Sequence, residues 1–334
     1  MGNATVLLAL VVLLGIVFEF VNGFHDAANA IATAIATRVL TPLQAILMAG
    51  VLNFVGALAG EAVAKTVGAG IVDPKVVTQD IVVAALIAAI IWDLITFVVA
   101  LPTSSSHALV FGVIGAALAS HGLEVIIAPG LQKTSLGIVY SPTLAFAGGY
   151  LLMLAIYWGL RNVSYRFVNR FFGRAQIASS AYMAFSHGGN DGQKTMGVIA
   201  LAIYAFNGNQ GEFHIDTWVK IVCALAIGLG TATGGWRIIR TMGMRITALK
   251  PVNGFAAETA AATVIEIATR LGIPISTTHA ISGAILGVGA TRRLSAVRWG
   301  IAGRIVTAWV LTIPGCFVLG YGTATLLRAV GVHP

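Results

Sequence analysis

A seven-residue segment occurs twice in this chain and constrains its fold more than any other feature. Residues 102–108 read PTSSSHA, and residues 274–280, 172 positions later, read PISTTHA. Each copy comes directly before an apolar run of helix length. Consecutive hydroxyl residues after a proline are typical of a helix amino terminus, whose free backbone N–H groups attract an anion. The repeat therefore predicts two similar halves, each with one such helix terminus, and we expect the two termini to face each other.

The composition predicts an all-helical protein that crosses a membrane several times. Hydrophobic residues make up 57% of the 334 residues and charged residues only 10%, whereas soluble domains hold about 25% charged residues. Several apolar runs are long enough to cross a bilayer as helices. We expect about 10–12 membrane segments, including re-entrant hairpins and discontinuous helices. The 39 glycines favour both close helix packing and breaks in helices.

The basic residues predict how the halves are oriented. The net charge of +8 comes from short clusters and not from one long basic face, so we expect cytoplasmic loops and no binding of nucleic acid. The equivalent stretches of the first half, Gly68–Thr78 and His121–Val125, hold a single lysine. This asymmetry predicts inverted repeats, residues 1–160 and 176–334, joined by a basic cytoplasmic linker at 161–175. The basic clusters are Arg161–Arg174, Arg237–Lys250 and Arg292–Arg298.

A second pair of segments carries the acidic candidates. Residues 22–29 read NGFHDAAN and align with residues 187–194, which read HGGNDGQK. Asp26 is then equivalent to Asp191, and Asn29 to Lys194. The glycines predict breaks in the helices at these points, at membrane depth. An ionised carboxylate there costs at least about 2.5 kcal/mol, so both aspartates are functional candidates, with a structural ion pair as the alternative.

The motifs resemble those of the inorganic phosphate transporter (PiT) family. The resemblance runs from Phe18 to about Gly289 and includes GFHDAAN, GND, the two Pro-x-Ser segments ending in histidine, and GFAAE at 254–258. It implies inverted repeats whose discontinuous helices and hairpins meet near the membrane midplane, and cation-coupled phosphate uptake. The second acidic motif differs from the first because it ends in Lys194, so the two half-sites need not be equivalent.

Hydroxyl groups of both repeated segments are the predicted phosphate ligands. The alternative is that these hydroxyls only cap helices or bond to their own backbone, and duplication in opposed halves favours the ligand role. The histidines that follow are candidates for donating to phosphate or for relaying protons, and the residues leave that choice open. The predicted phosphate-binding set is Ser104, Ser105, Ser106, His107, Ser276, Thr277, Thr278, His279 and Lys194.

Uptake of phosphate into a negative interior requires a coupling cation. A dianion entering against 100 mV costs roughly 4.6 kcal/mol, which cations moving with it would offset. The oxygen atoms of Asp26, Asn29, Asn190 and Asp191 are the predicted Na⁺ ligands. Glu61 and Glu258 are further cation-coupling candidates, with pairing to a buried lysine or arginine as the alternative. The choice between Na⁺ and H⁺ stays open.

Other functions are less consistent with the sequence. A sulfate transporter of the same fold shares the tetrahedral substrate and stays an alternative, and the sequence alone also leaves an ion channel open. A hydrolase is disfavoured because no Gly-x-Ser-x-Gly motif is present, and an ATP-driven pump because no P-loop is present. We therefore expect a cell-membrane transporter without enzymatic activity or cofactor, with both termini outside the cytoplasm. Its expected partners are phosphate, a monovalent cation and the lipid bilayer, and a homodimer is one option for its assembly.

Overall fold

The computed structural model describes residues 3–332, which fold almost entirely into twelve α-helices. The described residues contain no strand, which confirms the all-helical class. The helices of the first half are α1 (Asn3–Ala36), α2 (Pro42–Leu58), α3 (Ala62–Ala69), α4 (Gln79–Val98), α5 (Ser105–His121) and α6 (Ala128–Gly159). The helices of the second half are α7 (Tyr165–Phe206), α8 (Thr217–Thr233), α9 (Trp236–Arg240), α10 (Pro251–Arg270), α11 (Thr277–Ala290) and α12 (Trp299–Ala329).

The succession of helices in the first half recurs in the second. Helices α2 and α8 both have 17 residues, and α4 and α10 both have 20. Short 3-10 turns, Leu123–Val125 and Leu294–Ala296, follow α5 and α11. The packing is exchanged between halves, because α1 packs along α8 and α7 along α2, while α5 packs along α12 and α11 along α6. Each half therefore completes the packing of the other.

The apolar helices are long enough to cross a bilayer. Helices α1, α4, α6 and α12 meet the length and hydropathy needed for a span, and six spans result if each of two bent helix pairs counts as one. The bent pairs are α2 with α3, at 69°, and α8 with the segment Trp236–Arg245, at 59°. Large apolar side chains such as Leu151 and Val310 lie on the outer surface, 61% and 62% exposed. Because the outside is apolar, the fold is that of a multi-pass membrane protein.

The breaks predicted at the acidic motifs are wrong. Both motifs lie in the middle of uninterrupted helices, α1 and α7, which have 34 and 42 residues. Their glycines instead allow close packing between the halves. A Cβ at Gly23 would lie 2.5 Å from the carbonyl oxygen of Ile227, and one at Gly188 would lie 2.2 Å from that of Asn53. Glycine therefore lets the helix backbones approach each other here.

The basic segment predicted as a linker at 161–175 is mostly helical. Ser164 caps α7, since its hydroxyl accepts the backbone N–H of Phe167 at 3.4 Å. The helix then runs from Tyr165 onwards and includes Arg166, Arg170 and Arg174. A serine cap and the absence of glycine or proline up to residue 172 favour helix here over a loop. Only residues 160–164 connect α6 with α7.

Candidate functional site

The two repeated Ser/Thr segments form the amino termini of α5 and α11. The hydroxyl of Ser104 accepts the backbone N–H of His107 at 3.2 Å, and that of Ser276 accepts the N–H of His279 at 3.1 Å. Both serines are therefore helix caps, the alternative that the sequence left open, and their oxygens face their own backbone. Because each oxygen accepts the cap bond, a substrate can use these two serines only through the remaining O–H donor.

The residues just inside the caps leave donors free. The first backbone bonds of the two helices run from Ala108 to Ser104 and from Ala280 to Ser276. The N–H groups of Ser105 and Thr277, and of the residue after each, therefore precede the helical hydrogen bonds. All four residues are at most 5% exposed. Buried N–H groups at the positive end of a helix dipole form a binding site for an anion.

Lys194 and Asp191 of α7 join the two helix termini. The Lys194 ammonium donates to the Ser106 hydroxyl, to a carboxylate oxygen of Asp191, and to the backbone carbonyl of Ile275 at 2.7 Å. The other Asp191 oxygen accepts from the Thr277 hydroxyl at 2.8 Å. Ser106 belongs to α5, whereas Ile275 and Thr277 belong to the start of α11. The amino termini of α5 and α11 therefore meet at one place inside the molecule, as the duplication predicted.

Asp26 and Asn29 of α1 approach the same place from the other half. The Asn29 amide donates to the hydroxyls of Thr278 and Thr277 at 2.9 and 3.2 Å. Thr278 in turn donates to Asp26 at 3.4 Å. One ligand atom of each of Asp26, Asp191 and His187 lies within 4.8 Å of the others. The carboxylates of the two halves are thus neighbours, and both are buried.

These residues fit a bound monovalent cation. Two buried carboxylates this close repel each other unless a positive charge lies between or beside them. The carbonyl oxygen of the Asn29 side chain is buried and accepts no hydrogen bond from residues 3–332. A hard cation such as Na⁺ prefers oxygen ligands of this kind. Lys194 already balances one of the two negative charges, and a cation held by Asp26, Asn29 and Asp191 would balance the other.

One cation-coupling candidate, Glu61, and one predicted cation ligand, Asn190, lie elsewhere. Glu61, between α2 and α3, pairs with Lys220 at 2.5 Å and Lys65 at 2.6 Å, and its side chain is 35% exposed. The structure thus shows the alternative for Glu61, pairing with lysine, although at the surface and not in a buried site. Asn190 precedes Asp191 but lies on another face of α7, where its amide donates to Thr269 at 2.8 Å. Consecutive residues of a helix are about 100° apart around its axis, so the Asn190 side chain points away from the cluster that contains Asp191.

Glu258 is buried but belongs to a separate polar cluster. Its carboxylate accepts from the Ser179 hydroxyl at 2.5 Å, from the Gln176 amide at 3.2 Å and from the hydroxyl of Thr33. It has no lysine or arginine partner in the described residues. Thr33 lies one helical turn beyond Asn29 on α1, so this cluster adjoins the cation candidates without sharing ligands with them.

The repeated histidines of α5 and α11 face each other. The rings of His107 and His279 are 4.6 Å apart, and His279 stacks on Trp309 at 3.9 Å. The Trp309 indole donates to the carbonyl of Pro102 at 3.1 Å, which ties α12 to the loop before α5. Both ring nitrogens of His107 are buried without a partner in residues 3–332. The pair is therefore available to a ligand at the helix termini or to a proton.

Other site residues carried only weak sequence signals. His25 bonds Asp26 at 2.7 Å and Thr96 at 3.0 Å, and His187 lies 3.2 Å from Asp191. Asp93, one turn before Thr96 on α4, has both carboxylate oxygens unpartnered within the described chain. An acid in an apolar run is the signal that points to Asp93. Nothing in the sequence pointed to Thr96, because it lacks a repeat and a motif.

Comparison with known proteins identifies the family. The phosphate transporter family model matches residues 22–170 and 160–320. The chain is 48% identical over 303 residues to a protein of Rhizobium meliloti (strain 1021) described as "Probable low-affinity inorganic phosphate transporter", covering 90% of this chain and 91% of that protein. A protein of Bacillus subtilis (strain 168) with the same description is 43% identical over 317 residues, and the match covers 94% of this chain and 95% of that protein.

A solved structure described as "The sodium-dependent phosphate transporter" has the same fold. It superposes with a TM-score of 0.88 at 27% sequence identity, covering 97% of this chain and 100% of that one. The resemblance inferred from the motifs is thereby confirmed. The chain belongs to the phosphate transporter family, whose members move phosphate across membranes and are not enzymes.

Proposed function

We propose that this protein imports inorganic phosphate together with Na⁺ by alternating access. The observation that carries the proposal is that two opposed helix amino termini meet inside the molecule beside a pair of buried carboxylates. The helix termini suit a tetrahedral anion, and the carboxylates suit a cation. A relative described as sodium-dependent supports Na⁺ as that cation.

Phosphate binds between α5 and α11 in this proposal. The hydroxyls and N–H groups of Ser105, Ser106, Thr277 and Thr278 are its main donors. His107 and His279 border the site, and Lys194 contributes positive charge. Ser104 and Ser276 hold the two helix ends in shape. Because many converging donors are needed to replace the water shell of phosphate, one helix terminus alone would bind it weakly.

The cation binds between Asp26, Asn29 and Asp191. It lies beside the phosphate donors, since Thr277 and Thr278 contact both groups of residues. Each ligand therefore favours the binding of the other, and the coupling is reciprocal. Coupling of this kind turns the sodium gradient and the membrane potential into a driving force for phosphate uptake.

Alternating access follows from movement of one inverted repeat against the other. The proposed repeats are residues 1–160 and 176–334, with both termini outside the cytoplasm and the basic segment around 161–175 inside. The site residues are buried in the present arrangement. Phosphate can therefore reach them from either side of the membrane only after the protein rearranges. The exchanged packing of helices between halves offers an interface along which such a movement can occur.

Flux measurements with the purified protein in liposomes test the proposal. Phosphate uptake is measured with Na⁺, H⁺ and voltage gradients imposed one at a time, and with sulfate as a competitor. We expect an inward Na⁺ gradient to drive accumulation of phosphate, and excess sulfate to leave it nearly unchanged. Uptake driven by H⁺ alone, with no response to Na⁺, would refute sodium coupling. Strong competition by sulfate would instead favour the broader anion specificity.

A further inference from the structure

The two halves of the proposed cation site differ at one position. Asp26 on α1 and Asp191 on α7 are equivalent in the repeat, and the residue three positions later faces the same side of each helix. That residue is Asn29 in the first half and Lys194 in the second. A neutral amide and a fixed positive charge therefore stand beside equivalent carboxylates.

Lys194 is fully engaged by the protein. An ammonium group has three donors and no acceptor. Here those donors meet three acceptors, namely an Asp191 oxygen, the Ser106 hydroxyl and the Ile275 carbonyl. Lys194 is 2% exposed and Asp191 is 1% exposed, so bulk water does not compensate either charge. The positive charge that compensates Asp191 is thus supplied from within the chain.

Asp26 has no such partner. The side chain beside it is His25, and no lysine or arginine pairs with Asp26 anywhere in residues 3–332. The side-chain carbonyl oxygen of Asn29 accepts no hydrogen bond from residues 3–332, while its amide nitrogen donates to the hydroxyls of Thr277 and Thr278. An unpaired buried oxygen next to a carboxylate whose only ion-pair partner is a titratable histidine is an arrangement that a free cation completes.

We propose that Lys194 is a built-in substitute for one coupling cation. Its ammonium occupies the place beside Asp191 that a free monovalent cation takes beside Asp26, so each phosphate moves with one external cation fewer than two equivalent halves would require. This inference rests on the proposed sodium coupling and specifies its stoichiometry. It also makes the transported charge per phosphate smaller by one, because Lys194 stays with the protein.

Replacing Lys194 with asparagine tests the inference by making the two halves equivalent. Lys194→Asn gives the second half the residue that the first half has at the equivalent position, Asn29. It replaces the ammonium with an amide that offers an oxygen to a cation beside Asp191. We expect the sodium order, which is the kinetic order of phosphate flux in Na⁺ concentration below saturation, to be larger by one than in wild type. The charge carried per phosphate, obtained from reversal potentials in liposomes, should rise by one. Lys194→Gln, which is closer to lysine in length, repeats the test if the asparagine variant does not fold.

Two controls separate charge from other effects. Lys194→Met removes the charge and offers no oxygen, so we expect weaker phosphate binding and no gain in sodium order. Lys220→Asn makes the same replacement at the surface ion pair with Glu61, and we expect wild-type order and charge.

The result that would overturn the inference is a pair of Asn and Gln variants that keep the wild-type sodium order and charge per phosphate while binding phosphate more weakly at every Na⁺ concentration. Lys194 would then be a phosphate ligand only. A wild-type protein that shows no sodium stimulation contradicts the proposed function itself, and this is seen before any variant is made.

Discussion

Single residues at the start of α5 and α11 divide their tasks by position. The cap serines use their hydroxyls to hold the helix ends. The hydroxyls of Ser106, Thr277 and Thr278 instead contact charged side chains of α1 and α7. Thr277 and Ser106 contact Asp191 and so connect the anion and cation parts of the site. Ser105 differs from them, because its buried hydroxyl has no partner in the described chain.

Ser105 gives the cleanest test of a phosphate ligand. Because the Ser105 hydroxyl has no hydrogen-bond partner within residues 3–332 and only approaches the Asp93 carboxylate, the effect of Ser105→Ala on binding mainly reports contact with the substrate. We expect phosphate affinity to fall by about 1.5–3 kcal/mol, the contribution of a hydrogen bond to a charged group. Binding is measured by calorimetry or by the concentration dependence of flux. Ser141→Ala is the matched control, since Ser141 on α6 is similarly buried and equally unpartnered. Equal affinity in both variants would place the phosphate elsewhere.

Asp26 is expected to carry the cation dependence. Asp26→Asn keeps the size and one oxygen of the side chain but removes the charge. Phosphate affinity in this variant should become independent of Na⁺ concentration, whereas wild-type affinity should rise with it. Glu61→Gln is the matched control at the surface, and we expect it to keep the wild-type dependence, because exposed ion pairs contribute about 0–1 kcal/mol. The assignment fails if Glu61→Gln, and not Asp26→Asn, abolishes the sodium dependence.

Elements of the two halves are held together by glycines on long helices. Gly188 on α7 faces the backbone of α2, and Gly23 on α1 faces the backbone of α8. Gly115 and Gly287 repeat the arrangement, since each would place a Cβ about as close to the carbonyl of Phe317 or Phe146, at 2.2 and 2.1 Å. These helix pairs therefore depend on backbone contact, which a side chain would prevent.

A pair of alanine substitutions on α7 tests this packing. Gly188→Ala places a methyl group against the Asn53 carbonyl and should lower the free energy of unfolding by about 1–3 kcal/mol, the cost of overpacking. Gly173→Ala lies in the same helix with no atom near the added carbon, so we expect no loss of stability, or a small gain from helix propensity. Thermal unfolding in detergent provides the comparison. Equal midpoints for both variants would show that the α2–α7 contact is loose.

The whole molecule is a pair of similar halves with exchanged packing, and their relative orientation decides the mechanism. If they are inverted, the loop after α3 and the segment after α9 lie on opposite sides of the membrane. If they are parallel, the two lie on the same side. Exchange of helices between halves is compatible with either orientation, so the distinction requires a labelling experiment.

Cysteine accessibility distinguishes the two orientations. We expect Lys75→Cys to react with an impermeant thiol reagent added outside intact cells, and Arg245→Cys to react only after the membrane is opened. Both positions are exposed in the structure. The native cysteines, Cys223 and Cys316, are buried, and each is replaced by alanine to give a cysteine-free background. Labelling of both sites from the same side would rule out inverted repeats.

The sequence by itself determined the class and the duplication, and it predicted most residues of the candidate site. Ser105 and Thr277 were identified because hydroxyls at a helix start lie beside free N–H groups that attract an anion. Asp26 and Asp191 were identified because a carboxylate in an apolar membrane segment is costly unless it binds a partner. Local chemistry is sufficient for these predictions, since caps, apolar runs and intramembrane charges are properties of short segments. The expectation that the amino termini of α5 and α11 face each other came instead from the repeat, which relates segments 172 residues apart.

Only the tertiary structure decided which of these residues share a site. Glu61 and Glu258 looked alike in the sequence, yet Lys65 and Lys220 hold the first at the surface while Ser179 and its neighbours enclose the second. Glycines predicted to break α1 and α7 instead bring their backbones against the opposite half. The acceptors around Lys194 come from α5, α7 and the start of α11. Partners that lie far apart in the chain are set by packing, and no local pattern records them.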